Sequence, residues 1–256
     1  MPKHKDEIIE EELEETVEPV EPSHGFDTEE MMLTGMHLGH RTSRLHPRMK
    51  DYIVGIKNTV HVIDLEQTAQ GLRIALDYIE DLLKKNGSLL ICGTKVPLAN
   101  LVKDTAIECG LPFVNNRWLG GTFTNFSVIS KRVDTYKEIL KQKSEGQWEK
   151  YTKKEQVEKE KELSDLENNF EGLVKMEKLP EAVFICDLVK DKLCLKEAQK
   201  KGIKTIAIVD TNADPLLVDY PIPANDDAIN SVKFILDKVK DVVLKYKKNQ
   251  ESGIKN

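Results

Sequence analysis

Hydrophobic positions along this chain follow two rhythms. Leu65, Ala69, Leu72, Leu76, Ile79 and Leu83 are spaced four and three residues apart in alternation, which predicts one buried helix face. Gly87 is expected to close that helix in the left-handed conformation. Ile229, Val232, Leu236, Val239, Val243 and Tyr246 predict a second long helix in the same way. The other rhythm is the short unbroken apolar run. SLLICG, PFVNN, AVFICD and KTIAIVD read as buried strands. PLANLVKDTAIECG, with Pro97 in its first turn and Gly110 after it, predicts a helix, as does DKLCLKEAQKKG closed by Gly202. TNADPLLVDYPIP gives a loop and a short strand, which Pro221 and Pro223 confine to a sheet edge. Nearer the start, TEEMMLTGMHLGH predicts a short helix capped by Thr28, with Gly35 near its end. RTSRLHPRMKDY has no clean period and reads as an ordered basic loop. YIVGI and VHVID flank KNT as a β-hairpin. Helices alternating with unbroken apolar strands imply a doubly wound α/β domain, its mostly parallel sheet covered on both faces.

Residues 129–178 break this pattern. They hold 12 basic and 12 acidic residues, so they are too polar for a core. Ile129, Val133, Tyr136 and Leu140 form one narrow seam, and Leu163, Leu166, Phe170 and Leu173 form another. SEGQW supplies a turn between them. Two such helices predict an antiparallel coiled-coil hairpin that projects from the body. The expected organisation is an acidic disordered segment at 1–27, an α/β domain at 28–128 and 179–248 with the hairpin inserted, and a flexible segment at 249–256.

Charge alters this picture through its placement. The net charge of −6 would argue against a nucleic-acid partner. Residues 1–27, however, hold ten acids and two lysines, which leaves the remainder slightly basic. Three of the six arginines, Arg41, Arg44 and Arg48, fall within eight residues, and Lys50 follows with no acid between His37 and Lys50. Guanidinium groups pair with phosphate and stack on bases, so this segment is expected to contact RNA rather than serve only as a solvated loop. The longest apolar runs are too short to cross a bilayer, and no secretory signal pattern is visible. The four cysteines lack CxxC spacing and read as reduced core thiols of a cytosolic protein.

Other candidates carry weaker chemistry. ICGTK, with Lys95, sits where open α/β sheets bind ligands but is no nucleotide-binding P-loop, and Gly93 serves equally as a tight turn. Asp210 and Asp214 in VDTNADP could hold a cation or a sugar; turns that satisfy the loop's own backbone are the preferred reading. His37, His40 and His46 lack a local Cys or acid, so a basic surface is preferred to a zinc site. In NNRWLGGTFTNF, Gly120 and Gly121 permit close backbone approach. Asn116, Thr122, Thr124 and Asn125 offer neutral hydrogen bonds, Arg117 a charged fork and Trp118 a flat face. The loop suits either an RNA-backbone grip or an internal scaffold, and it lacks the acid–base pair of an active site.

HLGHRTSRLHPRMKDYI, VHVIDLEQT, RWLGGTFTNF, LPEAVFICD and AIVDTNADP followed by IPANDDAI occur in order. With these motifs the chain resembles the bacterial ribosomal protein two family of the small subunit, over about residues 30–246. The resemblance implies a flavodoxin-like α/β domain with an inserted coiled-coil hairpin, and a structural, non-enzymatic role on cytoplasmic ribosomes. It implies contacts with ribosomal RNA and neighbouring proteins between head and body, and help in anchoring ribosomal protein one. Carried onto this chain, Arg41, Arg44, Arg48 and Lys50 become RNA-facing candidates, with Lys95 and Arg117 added, and residues 116–125 the family-signature loop. No cofactor, metal, membrane or small-molecule substrate is expected. The chain departs from the family pattern at Leu38, where Phe is usual. It departs again at DLVKDK, where a Pro and an Arg often follow the Asp, and in the acidic segment 1–27. The competing classes are a small-molecule enzyme using GTK and VDTNADP, and a coiled-coil adaptor that binds only proteins.

Overall fold

The computed structural model describes residues 25–251 and 253, so most of the acidic segment expected to be disordered lies outside the described residues. Helix α1 (Thr28–Leu33) begins one residue earlier than the Thr28 cap would place it. Asp27 is the cap, and its carboxylate accepts from the Glu29 N–H at 2.9 Å. Gly35, at φ +75°, turns the chain out of the helix. The following residues extend into β1 (Leu38–Arg41). Two 3-10 turns, Thr42–Arg44 and Pro47–Tyr52, order the basic loop that the sequence predicted.

Strands β2 (Ile53–Lys57) and β3 (Val60–Ile63) form the expected hairpin. Asn58 and Thr59 both have positive φ, the two-residue turn whose twist suits a hairpin. These strands make a small antiparallel sheet in the order β1-β3-β2.

Helix α2 (Leu65–Lys84) buries Leu72, Leu76, Ile79 and Leu83 as the spacing predicts. Its end differs from expectation, because Asn86, not Gly87, is left-handed. The Asn86 N–H reaches Leu83 at 2.8 Å and the Gly87 N–H reaches Leu82 at 2.9 Å, which satisfies the last carbonyls. Gly87 is needed for space instead, since a Cβ there would collide with Leu82.

The main sheet follows. Strand β4 (Leu89–Cys92) leads through a 3-10 turn holding Pro97 into α3 (Ala99–Cys109), which ends at left-handed Gly110. Strand β5 (Phe113–Val114) precedes helices α4 (Phe126–Ser144) and α5 (Lys153–Phe170). The chain returns with β6 (Ala182–Ile185), α6 (Lys192–Lys201), β7 (Lys204–Val209) and β8 (Tyr220–Pro223). All five strands are parallel, in the order β5-β4-β6-β7-β8, so the proline-bearing β8 lies at an edge. Helix α7 (Ile229–Glu251) runs past residue 248.

Alternate strand residues face opposite cores. Leu89, Ile91, Phe184, Ile206 and Ile208 pack with α2, α3 and α7. Leu90, Cys92, Val183, Ile185 and Val209 pack with α6 and with Trp118, Phe123 and the inner ends of α4 and α5. Each fully buried Leu, Ile or Phe contributes about 1.5–3 kcal/mol over exposure, which is why unbroken apolar strands settle between two helical layers. All four cysteines are free and buried in these cores.

Two positions miss the faces that spacing assigned them. Ile229 is 47 % exposed at the start of α7, and Leu140 is 46 % exposed on α4. Only Ile129, Val133 and Tyr136 of α4 are buried, facing an α5 that buries Leu163 and Phe170. Further out, α4 and α5 meet through Lys143 and Glu160 at 2.6 Å. At their tip Trp148 is buried, and Gln156 donates to the carbonyls of Trp148 and Tyr151, both at 3.0 Å.

Candidate nucleic-acid interface

Residues 115–126 leave the sheet after β5 and wrap around one buried carboxylate. Glu197, on α6, is 5 % exposed. It accepts from the N–H groups of Gly121 at 2.7 Å, Phe123 at 2.9 Å and Thr124 at 3.0 Å. The Thr124 hydroxyl donates at 3.0 Å and the Trp118 indole Nε1 at 3.4 Å. Gly121, at φ +97°, supplies the turn that directs these donors inward. Burial alone would raise the Glu197 carboxyl. The N–H groups of Thr124, Gly121 and Phe123 outweigh it and hold the group below its ordinary value. Trp118 and Phe123 meet edge to face at 4.8 Å within the second core.

The internal-scaffold reading therefore accounts for Trp118, Gly121 and Thr124. Thr122 is buried too, its hydroxyl donating to the Leu119 carbonyl at 2.7 Å. Asn116, Arg117, Gly120 and Asn125 stay exposed on the outer side. Sequence reasoning missed Glu197. The available signal was an acid three residues after Cys194, on the buried face of α6.

The basic segment is built differently. Arg41 ends β1, Arg44 lies in the first 3-10 turn, and Arg48 and Lys50 lie in the second, and all four are exposed. Met49 is fully buried between them and fixes the second turn. Arg48 pairs with Asp214 at 2.7 Å. Among the described residues no ion pair engages Arg41, Arg44, Lys50 or Arg117. The small sheet adds a cation that sequence reasoning passed over. Arg41 and Lys57 both pair in register with Val60 on the central strand, so they flank it in one row.

This ribbon is seated on the loop after β7. The His46 N–H donates to the Thr211 carbonyl at 2.8 Å, and the His40 N–H donates to the Thr211 hydroxyl at 2.8 Å. A Cβ on Gly39 would lie 2.5 Å from Thr211 Cγ2, so only glycine permits the approach. Asp210, 1 % exposed, accepts from the Thr211 N–H at 2.5 Å and lies 3.1 Å from His40 Nδ1. Asp214 accepts from the Leu216 N–H at 3.1 Å, the turn expected before Pro215–Leu217. His40 reaches Asp210 and Asp227, while His46 Nε2 lies 4.0 Å from Asp214, so the histidines meet separate carboxylates. Contact with Asp210 raises the His40 pKa against the opposing effect of burial. Burial, with nearby Lys57, lowers that of His37.

Lys95 is drawn into the fold. Its ammonium lies 3.0 Å from Asp187, 3.0 Å from Asp226 and 2.6 Å from Asp227. Burial disfavours its charge, but these carboxylates raise its pKa well above the ordinary lysine value. Asp226 is pushed up to about 7 by burial and by the charges of Asp187 and Asp210, against the pull of Lys95. Beside it Asp191 accepts from Thr94 through its N–H at 3.1 Å and its hydroxyl at 2.6 Å. The GTK turn thus ties together the carboxyl ends of the strands. No helix among the described residues is long and apolar enough to cross a membrane.

A family model described as ribosomal protein S2 matches residues 31–245. Among curated relatives, a small ribosomal subunit protein uS2 of Coprothermobacter proteolyticus is 38 % identical over 222 residues, covering 87 % of this chain and 83 % of the relative. The matched span takes in the ribbon, the wrapped loop and both cores, and the chain belongs to the ribosomal protein S2 family, whose members are structural and not enzymatic.

Proposed function

We propose that this chain is a structural constituent of the small ribosomal subunit, held there by phosphate contacts from its basic ribbon to ribosomal RNA. The family match carries the ribosomal role. One observation supports the RNA-contact reading: Arg41, Arg44 and Lys50 are exposed and free of ion pairs among the described residues, on a segment seated against Thr211. The seated backbone fixes where these cations emerge, so chiefly side-chain freedom is lost on meeting a phosphate row. Arg48 shares its charge with Asp214 and ranks second. Arg117, exposed on the outer side of the wrapped loop, extends the surface. Lys95, enclosed by three carboxylates, is the weakest of the proposed contacts.

The strand order supports a flavodoxin-like reading, since numbering the strands along the chain gives the 2-1-3-4-5 arrangement of that fold. On this reading the α/β domain comprises residues 28–128 and 179–248. Residues 129–178 form an inserted coiled-coil hairpin whose polar outer half suits a neighbouring ribosomal protein. A seat between head and body, and a part in anchoring ribosomal protein one, complete the proposal and place its action on cytoplasmic ribosomes.

Sedimentation of a lysate on a sucrose gradient, with antibody detection of this chain, tests it. Co-migration with the small subunit that is lost as salt rises is the expected result, because phosphate contacts release counterions. A chain that stays at the top of the gradient at low salt would overturn the proposal.

A further inference from the structure

A second set of free cations lies at the other end of the main sheet. Helix α3 runs back from the carboxyl end of β4, so Gly110, which closes it, lies beside the amino ends of the strands. The ribbon sits at the opposite end, on the loop that follows β7. Two lysines from distant parts of the chain converge on Gly110. A Cβ placed there would lie 2.7 Å from the Lys247 ammonium, on α7, and 3.7 Å from that of Lys175, in the segment leading to β6. The two ammoniums are therefore no farther apart than these distances combined. Both residues are exposed, and among the described residues no hydrogen bond or ion pair engages either.

The helix end accounts for one of them. The carbonyl end of α3 carries partial negative charge, and its last turn has no basic residue of its own. One ammonium answers that charge, whereas a second this close adds repulsion between like charges. Neighbouring acids do not relieve it. Glu108, just before the end of α3, is taken by Lys240 at 3.3 Å. Burial pushes the Cys109 thiol up to about 11; Lys247 and Lys240 act against that rise, and Glu108 and Asp241 add to it. With Glu108 paired, Asp241 alone of these acids faces Lys175 and Lys247. An anion seated between the two ammoniums would relieve the repulsion. An ammonium meets a charged oxygen at about 2.7–2.9 Å, so a tetrahedral phosphate bridges a gap of this size. Lysine serves phosphate as a point charge, whereas a carboxylate is better met by the planar fork of arginine.

We propose that Lys175 and Lys247 form a second RNA-phosphate contact, at the amino end of the sheet. From Ile229 to Lys247, α7 rises about 27 Å, which separates this contact from the carboxyl end. RNA thus holds the chain at both ends of the sheet, and the salt-sensitive grip is shared between them. The proposal rests on the ribosomal role above and not on the ribbon.

The test uses small subunits carrying the full chain. They are treated with a reagent that couples lysine amines to adjacent RNA, and the coupled peptides are identified by mass spectrometry. Ribonucleotide adducts are expected at Lys175 and Lys247. Adducts at Lys50 alone overturn the proposal and leave the ribbon in place. Adducts at Lys175 and Lys247 without Lys50 support the proposal and remove the ribbon. Coupling of Lys175 and Lys247 to a protein neighbour in place of RNA overturns it, and a chain with no ribonucleotide adduct overturns both contacts. In a second arm, variants rebind small subunits depleted of this protein. Lys175→Gln with Lys247→Gln should reduce the slope of log affinity against log salt by about two and weaken binding about tenfold or more at 0.1 M salt. Tm should stay within a degree or two, whereas lysines that only cap α3 would lower Tm and leave the slope unchanged. Lys175→Arg with Lys247→Arg should restore the slope. An unchanged slope in the Gln variant overturns the proposal.

Discussion

The wrapped loop and the basic ribbon look alike on paper and behave in opposite ways. Both are polar stretches without an acid. In the loop, the donors of Trp118, Gly121, Phe123 and Thr124 converge on Glu197, more than seventy residues away in sequence. Of the ribbon's arginines and Lys50, only Arg48 forms an ion pair with a carboxylate among the described residues, and Arg41, Arg44 and Lys50 are exposed. An acid-free segment is therefore no evidence of an external anion until the fold has been searched for an internal one. Partner location, not composition, separates the scaffold from the exposed cations.

The comparison breaks hardest at Glu197. Replacement by Ala strips the N–H groups of Gly121, Phe123 and Thr124 of their acceptor, the Phe123 group being buried, and should cost about 3–5 kcal/mol in all, a loss of many degrees in Tm. Glu197→Gln retains an acceptor and should lose clearly less. If the two variants melt together near the parent, the loop does not depend on its carboxylate.

The ribbon should show the reverse. Arg41→Glu with Arg44→Glu and Lys50→Glu should leave Tm within a degree or two, yet weaken binding to a small-subunit RNA transcript by about 100-fold or more at 0.1 M salt. A matching loss from Glu197→Gln in a folded chain would erase the distinction. A smaller effect is expected from Lys57→Gln, which should reduce the slope of log affinity against log salt by about one and leave stability alone.

The last contrast concerns pH. Asp226 has a folded pKa of about 7, above its unfolded value of 3.8. Between those values the folded chain binds a proton that the unfolded chain has released, so stability falls as pH climbs through this window. His40, also raised, adds a loss of the same sign as pH passes its folded pKa. Tm should thus drop from pH 5 to pH 8, and Asp226→Asn should flatten the drop without moving the salt slope of RNA binding. An unchanged pH profile would remove Asp226 from the account.

Much of the fold was legible because it is written locally. The spacing of Leu72, Leu76, Ile79 and Leu83 marked the buried face of α2, and Pro221 and Pro223 marked an edge strand. Errors arose where the nearest neighbour in space decides. Ile229 and Leu140 keep the helical period, but at those points nothing packs over them closely enough to bury them. Asn86 displaced Gly87 as the left-handed residue, because both accept the conformation and only contact with Leu82 assigns their roles. Within the candidate site, the cations could be read from charge alone. Glu197, the carboxylates around Lys95, and the row of Arg41 with Lys57 needed long-range pairing, which one sequence does not contain.

The seat of the ribbon on Thr211 has a consequence in time. His40 and the hydroxyl that holds it are 171 positions apart in the chain. At a synthesis rate of about 5–20 residues per second, Thr211 is made roughly 10–30 s after His40. The ribbon thus leaves the exit tunnel long before the loop that gives it shape has been translated. Until then its arginines lack their final geometry, and the phosphate contacts proposed for them wait for a nearly finished chain.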